Sequence, residues 1–292
     1  MQVTANDITI TYDTFGEKAH PALLLVMGLG AQMTAWDDDF CAQLADRGHY
    51  VIRYDNRDVG LSSYFHDHGV PDMGALVADM MAGRKPDIAY SLDDMAADGM
   101  GLLTALGIDR AHICGASLGG MIVQTMAILF PDRVKTLTSI MSTTGNPGLP
   151  PASPEAMAAL TSERANNVDQ AMDRAVAVSN IIGSPGFPKD ESRTRAKAKA
   201  SFERAFYPEG VARQMAAVVA HGDRRPGLNK LKVPTLVIHG SADPLVPVTG
   251  GIDTQENIPG ATLMLIEGMG HDLPPETWDQ IIDGISALTG RV

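Results

Sequence analysis

The segment AHICGASLGGM, residues 111–121, constrains the fold more than any other stretch of the chain. Its first four residues form an apolar run that predicts a buried strand, and apolar side chains recur at helical spacing after Ser117. Gly115 and Gly119 stand two residues before and two residues after Ser117. In such a G-x-S-x-G pattern, small neighbours permit a sharp strand-to-helix turn that exposes the serine hydroxyl. The segment therefore predicts an α/β fold with a serine at the carboxyl end of a strand.

Short apolar runs alternate with amphipathic stretches elsewhere, which is typical of parallel strands joined by helices. Further strands are predicted at residues 8–12, 22–26, 50–54, 134–140, 233–238 and 261–266, and helices at about 91–106, after 117, and at 276–288. Residues 144–231 are rich in Ala, Met, Arg and Lys at helical period and contain no convincing strand. We therefore predict a mostly parallel central sheet flanked by helices, in a core domain of residues 1–143 and 232–292. Residues 144–231 would form a helical lid inserted before the last two strands.

Charge and cysteine content limit the classes of partner. A formal net charge of −12 would repel the phosphates of nucleic acids and gives no basic surface for a membrane. No apolar run reaches the roughly 20 residues that a membrane helix needs, and the start MQVTANDITITYD lacks an export signal, so we expect a cytoplasmic protein. Cys41 and Cys114 are the two cysteines, and neither a disulfide nor a metal site is expected from them. The sequence does not distinguish a monomer from a homodimer.

Two residues far from Ser117 could make its hydroxyl a nucleophile. A serine needs an imidazole to take its proton, and the imidazole needs a carboxylate to fix its tautomer. Asp243 follows the strand at 233–238, and His271 follows the strand at 261–266, so both would lie at carboxyl ends of strands. Asp272 is a second candidate for the acid and His239 is the nearest rival for the base. We prefer Asp243 and His271, because adjacent loop residues seldom point at one another and His239 is expected to pack at a strand end.

Acyl transfer also needs donors for the developing oxyanion. The loop Met27-Gly28-Leu29-Gly30 follows the strand at 22–26, where glycine lets the backbone bend toward the serine. We predict that the backbone N–H groups of Leu29 and Leu118 form the oxyanion hole.

The chain resembles the α/β-hydrolase superfamily, and within it aclacinomycin methylesterase and related bacterial carboxylesterases. The segments that carry the resemblance are VMGLG, YDNRDVGLS, SLDDMAADGMGLLTALGIDRAHICGASLGG, VPTLVIHGSADPLVP and EGMGHDLP. The resemblance implies the α/β-hydrolase fold and hydrolysis of carboxylic esters by Ser117, His271 and Asp243, with no cofactor and no metal. Met27 departs from the histidine that is usual at this position, which puts the polar network behind the loop in doubt.

Other functions remain open. The substrate is expected to be a small apolar ester, which includes a lactone or a methyl ester of a larger ring system. A carbon–carbon bond hydrolase of vinylogous diketones would use the same three residues, and its carboxylate-bearing substrates call for lid cations such as Arg164, Arg174, Arg193, Arg204 and Arg213. A third hypothesis is a ligand receptor that has the hydrolase fold without its activity. We expect about a third of a set of apolar lid residues to line the binding pocket. That set comprises Met157, Met172, Phe187, Phe202, Phe206 and Met215.

Overall fold

The computed structural model describes residues 1–162 and 165–292. Within these residues, eight strands form one sheet in the order β1-β2-β4-β3-β5-β6-β7-β8. The strands are β1 (Gln2–Ala5), β2 (Ile8–Phe15), β3 (Ala22–Val26), β4 (Tyr50–Tyr54), β5 (Ala111–Ala116), β6 (Val134–Ile140), β7 (Thr235–Gly240) and β8 (Thr262–Ile266). The β1–β2 and β2–β4 pairs are antiparallel and the others are parallel. The predicted fold class, a mostly parallel sheet flanked by helices, is confirmed.

The helices cover both faces of the sheet and fill the chain between β6 and β7. They are α1 (Asp38–Asp46), α2 (Met73–Met81), α3 (Leu92–Ala105), α4 (Leu118–Leu129), α5 (Pro154–Leu160), α6 (Val168–Ile182), α7 (Glu191–Arg204), α8 (Pro208–His221), α9 (Arg225–Leu228), α10 (Val248–Glu256) and α11 (Trp278–Thr289). Across the part of the chain that is described, no helix is both long and apolar enough to span a membrane.

Strand β3, ALLLV, is apolar throughout because both faces of the sheet are covered at this strand. Leu24 of β3 packs into one hydrophobic core and its neighbour Leu23 packs into another. Successive side chains of a strand point to opposite faces, so a sheet that is buried on both sides needs continuous apolar runs. This requirement explains why β3 appears in the sequence as an unbroken apolar segment.

Helix α3 begins where its capping residues predict. The Ser91 hydroxyl accepts a hydrogen bond from the Asp94 N–H at 3.2 Å, and the Asp94 carboxylate accepts one from the Ser91 N–H at 2.8 Å. Two backbone donors that a helix start leaves without partners are thereby satisfied. The chain then continues into β5, which ends at Ala116, directly before Ser117.

The chain between β6 and β7, residues 141–234, contains α5 to α9 and is called the helical insert below. It is attached to the sheet domain by a buried ion pair between Arg213 of α8 and Asp58, with a nitrogen–oxygen distance of 2.7 Å. Asp58 also accepts a hydrogen bond from the Tyr90 hydroxyl at 2.7 Å. Removing one partner of a buried ion pair is strongly destabilising, on the order of 3–5 kcal/mol. The helical insert before the last two strands is as predicted, whereas the domain boundaries at 144 and 231 stay a prediction.

Candidate active site

Ser117 lies in a strained turn between β5 and α4. Its φ of +56° falls in the left-handed region that non-glycine residues rarely adopt. A β-carbon added at Gly119 would lie 2.0 Å from the carbonyl oxygen of Val26, and one added at Gly115 would lie 2.1 Å from that of Gly119. Both positions therefore require glycine, and the turn brings the serine against the end of β3.

Ser117, His271 and Asp243 form a continuous hydrogen-bonded chain. His271 Nε2 lies 3.0 Å from Ser117 Oγ, and His271 Nδ1 lies 2.7 Å from Asp243 Oδ2. An ionised carboxylate only accepts hydrogen bonds, so Nδ1 carries the hydrogen and Nε2 is left to accept from the serine hydroxyl. This tautomer is the one that a general base acting on Ser117 requires.

The Asp243 carboxylate is fixed by its own backbone. Its Oδ1 accepts hydrogen bonds from the N–H groups of Leu245 and Val246, both at 2.9 Å, which leaves Oδ2 directed at His271. His239 lies 3.7 Å from the same carboxylate, but its Nε2 is hydrogen-bonded to the Val246 carbonyl at 2.8 Å. Burial lowers the pKa of His239, which therefore stays neutral and packs beside the acid.

Asp272 does not orient the neighbouring histidine. Its carboxylate accepts a hydrogen bond from the Ser184 hydroxyl of the helical insert. Burial raises the pKa of Asp272, although the bond to Ser184 opposes that shift. The structure thus assigns the contact with His271 to Asp243. Asp272 attaches the loop after β8, which carries His271 and is called the histidine loop below, to the insert.

The loop after β3 lies beside the serine because β3 and β5 are adjacent. Val26 and Gly115 are register partners, and a β-carbon added at Gly28 would lie 3.1 Å from Ser117 Cβ. The Ser117 N–H donates to the Ile140 carbonyl at 2.9 Å. Among the described residues, the N–H groups predicted for the oxyanion hole, those of Leu29 and Leu118, have no hydrogen-bond acceptor. Both donors are available to a ligand at this point.

The same loop is also held from behind by two side chains, those of Asn56 and Gln214. Asn56 Nδ2 donates to the Met27 carbonyl at 2.9 Å, so a side-chain amide fixes the loop at the position where Met27 replaces the expected histidine. Gln214 of α8 accepts from the Gly30 N–H at 2.9 Å and donates to the Arg57 carbonyl at 2.8 Å. The two contacts of Gln214 join residues that are 184 and 157 positions apart, and no local sequence pattern predicts them.

The histidine loop is attached to the helical insert as well. The His271 N–H donates to the Ile182 carbonyl at 2.7 Å, and the Gly270 N–H donates to Ser184 Oγ at 2.9 Å. The insert therefore holds the loop of the base through the end of α6, and the loop after β3 through α8.

A cavity of about 830 Å³ opens beside Ser117 and His271. Its wall includes buried aromatic side chains of the sheet domain, Trp36, Phe40 and Trp278. The prediction that about a third of six Met and Phe residues of the lid line it was wrong, since none of the six, all of them described, lies on its wall. Other apolar residues of the insert do line it, among them Leu160, Val178 and Ile182. Phe202 and Phe206 instead contact each other, with ring centroids 4.7 Å apart. Helix α7 presents mainly polar residues to the cavity, with Ala198 as its apolar contribution to the wall.

The arginines of the helical insert have different environments. Arg204 pairs with Asp55 at 2.8 Å and Arg213 pairs with Asp58, so both attach the insert to the sheet domain. Arg174 and Arg193 line the cavity. Arg164 lies outside the described residues. Within the described ranges, no cluster of three or more His, Cys, Asp and Glu side chains could hold a metal ion.

Comparisons with known proteins agree with this architecture. A family model described as alpha/beta hydrolase fold matches residues 21–276. A rhodomycin D methylesterase of Streptomyces sp. (strain C5) is 29% identical over 310 residues, covering 98% of this chain and 97% of the relative. The 3-oxoadipate enol-lactonase 2 of Acinetobacter baylyi is 30% identical over 285 residues, covering 97% of this chain and 95% of the relative. The solved structure of a meta-cleavage product hydrolase from Pseudomonas fluorescens IP01 aligns with a TM-score of 0.76 at 19% identity, covering 100% of this chain and 97% of that one.

Proposed function

The chain belongs to the α/β-hydrolase family, and we propose that it cleaves carboxylic esters through an acyl-enzyme intermediate on Ser117. The observation that carries the proposal is the hydrogen-bonded chain from Ser117 Oγ through His271 to Asp243, with distances of 3.0 and 2.7 Å. A hydroxyl poised against a neutral imidazole that is backed by a carboxylate is the arrangement nucleophilic acyl transfer needs.

In the acylation step, Ser117 Oγ attacks the ester carbonyl while His271 Nε2 takes the hydroxyl proton. The tetrahedral oxyanion accepts hydrogen bonds from the Leu29 and Leu118 N–H groups, which have no protein acceptor among the described residues. His271 then gives its proton to the departing alcohol oxygen as the carbon–oxygen bond breaks. Asp243 stabilises the imidazolium throughout.

In the deacylation step, water replaces the alcohol. His271 removes a proton from this water as it attacks the acyl carbonyl, and the second tetrahedral oxyanion uses the same two N–H donors. Collapse returns the proton to Ser117 Oγ and releases the carboxylic acid.

A methyl ester or a lactone is the favoured substrate type within this class. The full-length similarity to a rhodomycin D methylesterase supports the first, and the similarity to an enol-lactonase supports the second. Both reactions are acyl transfers to serine and differ in whether the alcohol leaves or stays tethered. Carbon–carbon bond hydrolysis of a vinylogous diketone is supported by the fold and by the same three residues.

The proposal is tested by turnover of a panel of alkyl esters, aryl esters, lactones and ring-fission diketones. Ser117→Ala should lower turnover of an activated ester by about 10⁶ while the circular dichroism spectrum stays native. Ser286→Ala is a matched control, because the Ser286 hydroxyl has no hydrogen-bond partner in the described part of the structure. An organophosphate should inactivate the wild-type protein by attachment to Ser117.

Each other outcome selects a different function. Cleavage of the diketone without turnover of any ester or lactone would make the protein a carbon–carbon bond hydrolase. Binding of a small ligand with no turnover of either class would make it a receptor on a hydrolase fold.

A further inference from the structure

Helix α7 brings two cationic side chains, Arg193 and Lys197, to the wall of the cavity. The residues of α7 on the cavity wall are Arg193, Thr194, Lys197, Ala198 and Ser201, which recur at spacings of three and four and so share one face of the helix. Four of these five side chains are polar. A pocket for a wholly apolar ester would be expected to present apolar side chains here. The polar face requires a different explanation.

The two cations of this face share one carboxylate. Arg193 Nη2 lies 2.9 Å from Asp37 Oδ1, and Lys197 Nζ lies 2.5 Å from Asp37 Oδ2. Within the described residues, Asp37 is the carboxylate in salt-bridge contact with either cation. The cluster of Arg193, Lys197 and Asp37, called the cationic cluster below, therefore retains one positive charge, on a chain whose formal net charge is −12.

Both cations are accessible to solvent and have N–H donors beyond those that contact Asp37. The side chains of Arg193 and Lys197 are 35% and 40% exposed. A guanidinium has five N–H donors and an ammonium has three, so the contacts with Asp37 leave several donors for a ligand. The Arg193 guanidinium lies over the Trp278 ring, 5.2 Å from its centroid, which holds it against the aromatic wall of the cavity.

We propose that the cationic cluster binds an anionic group, a carboxylate, that the substrate carries away from its ester. This substrate class rests on the proposed function and refines it. The apolar wall formed by Trp36 and Phe40 would hold the carbon skeleton, Ser117 would meet the ester carbonyl, and Arg193 and Lys197 would pair with the carboxylate. Asp37 competes with that carboxylate for the same two cations.

The test compares two esters with the same acyl chain, p-nitrophenyl hexanoate and mono-p-nitrophenyl adipate. The measured quantity is the ratio of kcat/KM for the adipate ester to that for the hexanoate ester, which cancels effects on chemistry common to both. Arg193→Gln and Lys197→Gln should each lower this ratio by about tenfold, the scale of a partly exposed charge-assisted contact. A matched pair of esters with the carboxylate on the alcohol side, 4-acetoxybenzoate and 4-methylphenyl acetate, applies the same test to the leaving group.

The same helix offers matched controls. Arg195 pairs with Glu191 and Asp173, and Lys199 contacts Glu203, all away from the cavity. Arg195→Gln and Lys199→Gln should leave the ratio unchanged.

Replacing the competing carboxylate distinguishes a ligand site from a structural ion pair. Asp37→Asn should raise the ratio, because both cations are then free for the substrate. A structural ion pair alone would give no gain. The proposal is overturned if neither ester pair responds to Arg193→Gln and Lys197→Gln, or if Asp37→Asn lowers both ratios.

A binding measurement separates failure of this proposal from failure of the proposed function. Calorimetry on Ser117→Ala should give tighter binding of monomethyl adipate than of methyl hexanoate, and Arg193→Gln should abolish the difference. If the wild-type protein hydrolyses no ester while this difference in binding persists, the proposed function fails and the anionic site stands. If esters are hydrolysed and no difference in binding appears, the anionic site fails alone.

Discussion

Gln214 should act as a positioning residue for the loop after β3, residues 27–30, which carries the predicted oxyanion donor of Leu29. Gln214→Met tests this role. The side chain is fully buried and links the Gly30 N–H to the Arg57 carbonyl, so methionine of similar size leaves both groups without partners. Each unsatisfied buried group costs on the order of 1–3 kcal/mol of stability. Gly30 follows Leu29 directly, so the freed loop would let the predicted oxyanion donor turn away.

The expected loss of turnover follows from the contacts that remain. Removing one oxyanion donor outright costs about 10² to 10³ in kcat. In Gln214→Met the loop is still held by Asn56 at the Met27 carbonyl and by Gln32, whose side chain donates to the Ser201 and Ala205 carbonyls of the insert. We therefore expect kcat to fall by roughly 10 to 10², less than the loss from removing a donor outright, with little change in KM.

The assay measures kcat and KM for p-nitrophenyl butyrate together with the inhibition constant of an alkyl trifluoromethyl ketone, whose serine adduct places an oxyanion in the hole. The inhibition constant should rise in proportion to the loss of kcat/KM. Gln124→Met is the matched control, because Gln124 is also fully buried and bonds to Ser139 and Arg224 away from the loop. Equal effects of the two substitutions on kcat would refute a positioning role for Gln214.

Three further substitutions test the acid and the strained turn at Ser117. Asp243→Asn should lower kcat by about 10⁴ with the fold intact, because His271 loses control of its tautomer, and a smaller loss than in Asp272→Asn would reverse the assignment of the acid. Asp272→Asn should keep activity. Burial raises the pKa of Asp272, so its ionisation lowers the stability of the wild-type protein as the pH rises above the ordinary carboxyl pKa. Asp272→Asn should therefore unfold at a higher urea concentration than the wild type at about pH 8. This difference in urea midpoint should vanish toward pH 4. Gly119→Ala should lower both stability, by about 1–3 kcal/mol, and turnover, since its β-carbon would meet the Val26 carbonyl; a native melting temperature would argue against that close approach.

The sequence predicts the elements whose causes are local. The buried parallel strand β3 appears as a continuous apolar run, and it has the predicted bounds, Ala22–Val26. The residues at the carboxyl ends of β5, β7 and β8 could be expected to meet because parallel strands end at one edge of the sheet. Strand β1 was missed, although Asn6 and Asp7 mark it with positive φ values of 49° and 61° in a two-residue hairpin turn.

The contacts between the insert and the loops could not be predicted. Gln214 and Ser184 reach Gly30 and Gly270 across separations of 184 and 86 residues, and no periodicity or spacing in the sequence relates such positions. The cavity wall was mispredicted for a similar reason. Composition identified apolar residues in the insert, whereas the direction in which α7 turns its polar face depends on packing.

The attachment of the insert at both loops has a consequence for engineering specificity. An insert that was only a cover could be exchanged between relatives as a cassette, with the reaction centre left untouched. Here the Ile182 carbonyl holds the backbone of His271, and Gln214 holds the loop after β3. A chimaera with a foreign insert would therefore inherit a new pocket and lose its catalytic geometry together, unless these docking positions are transplanted with it.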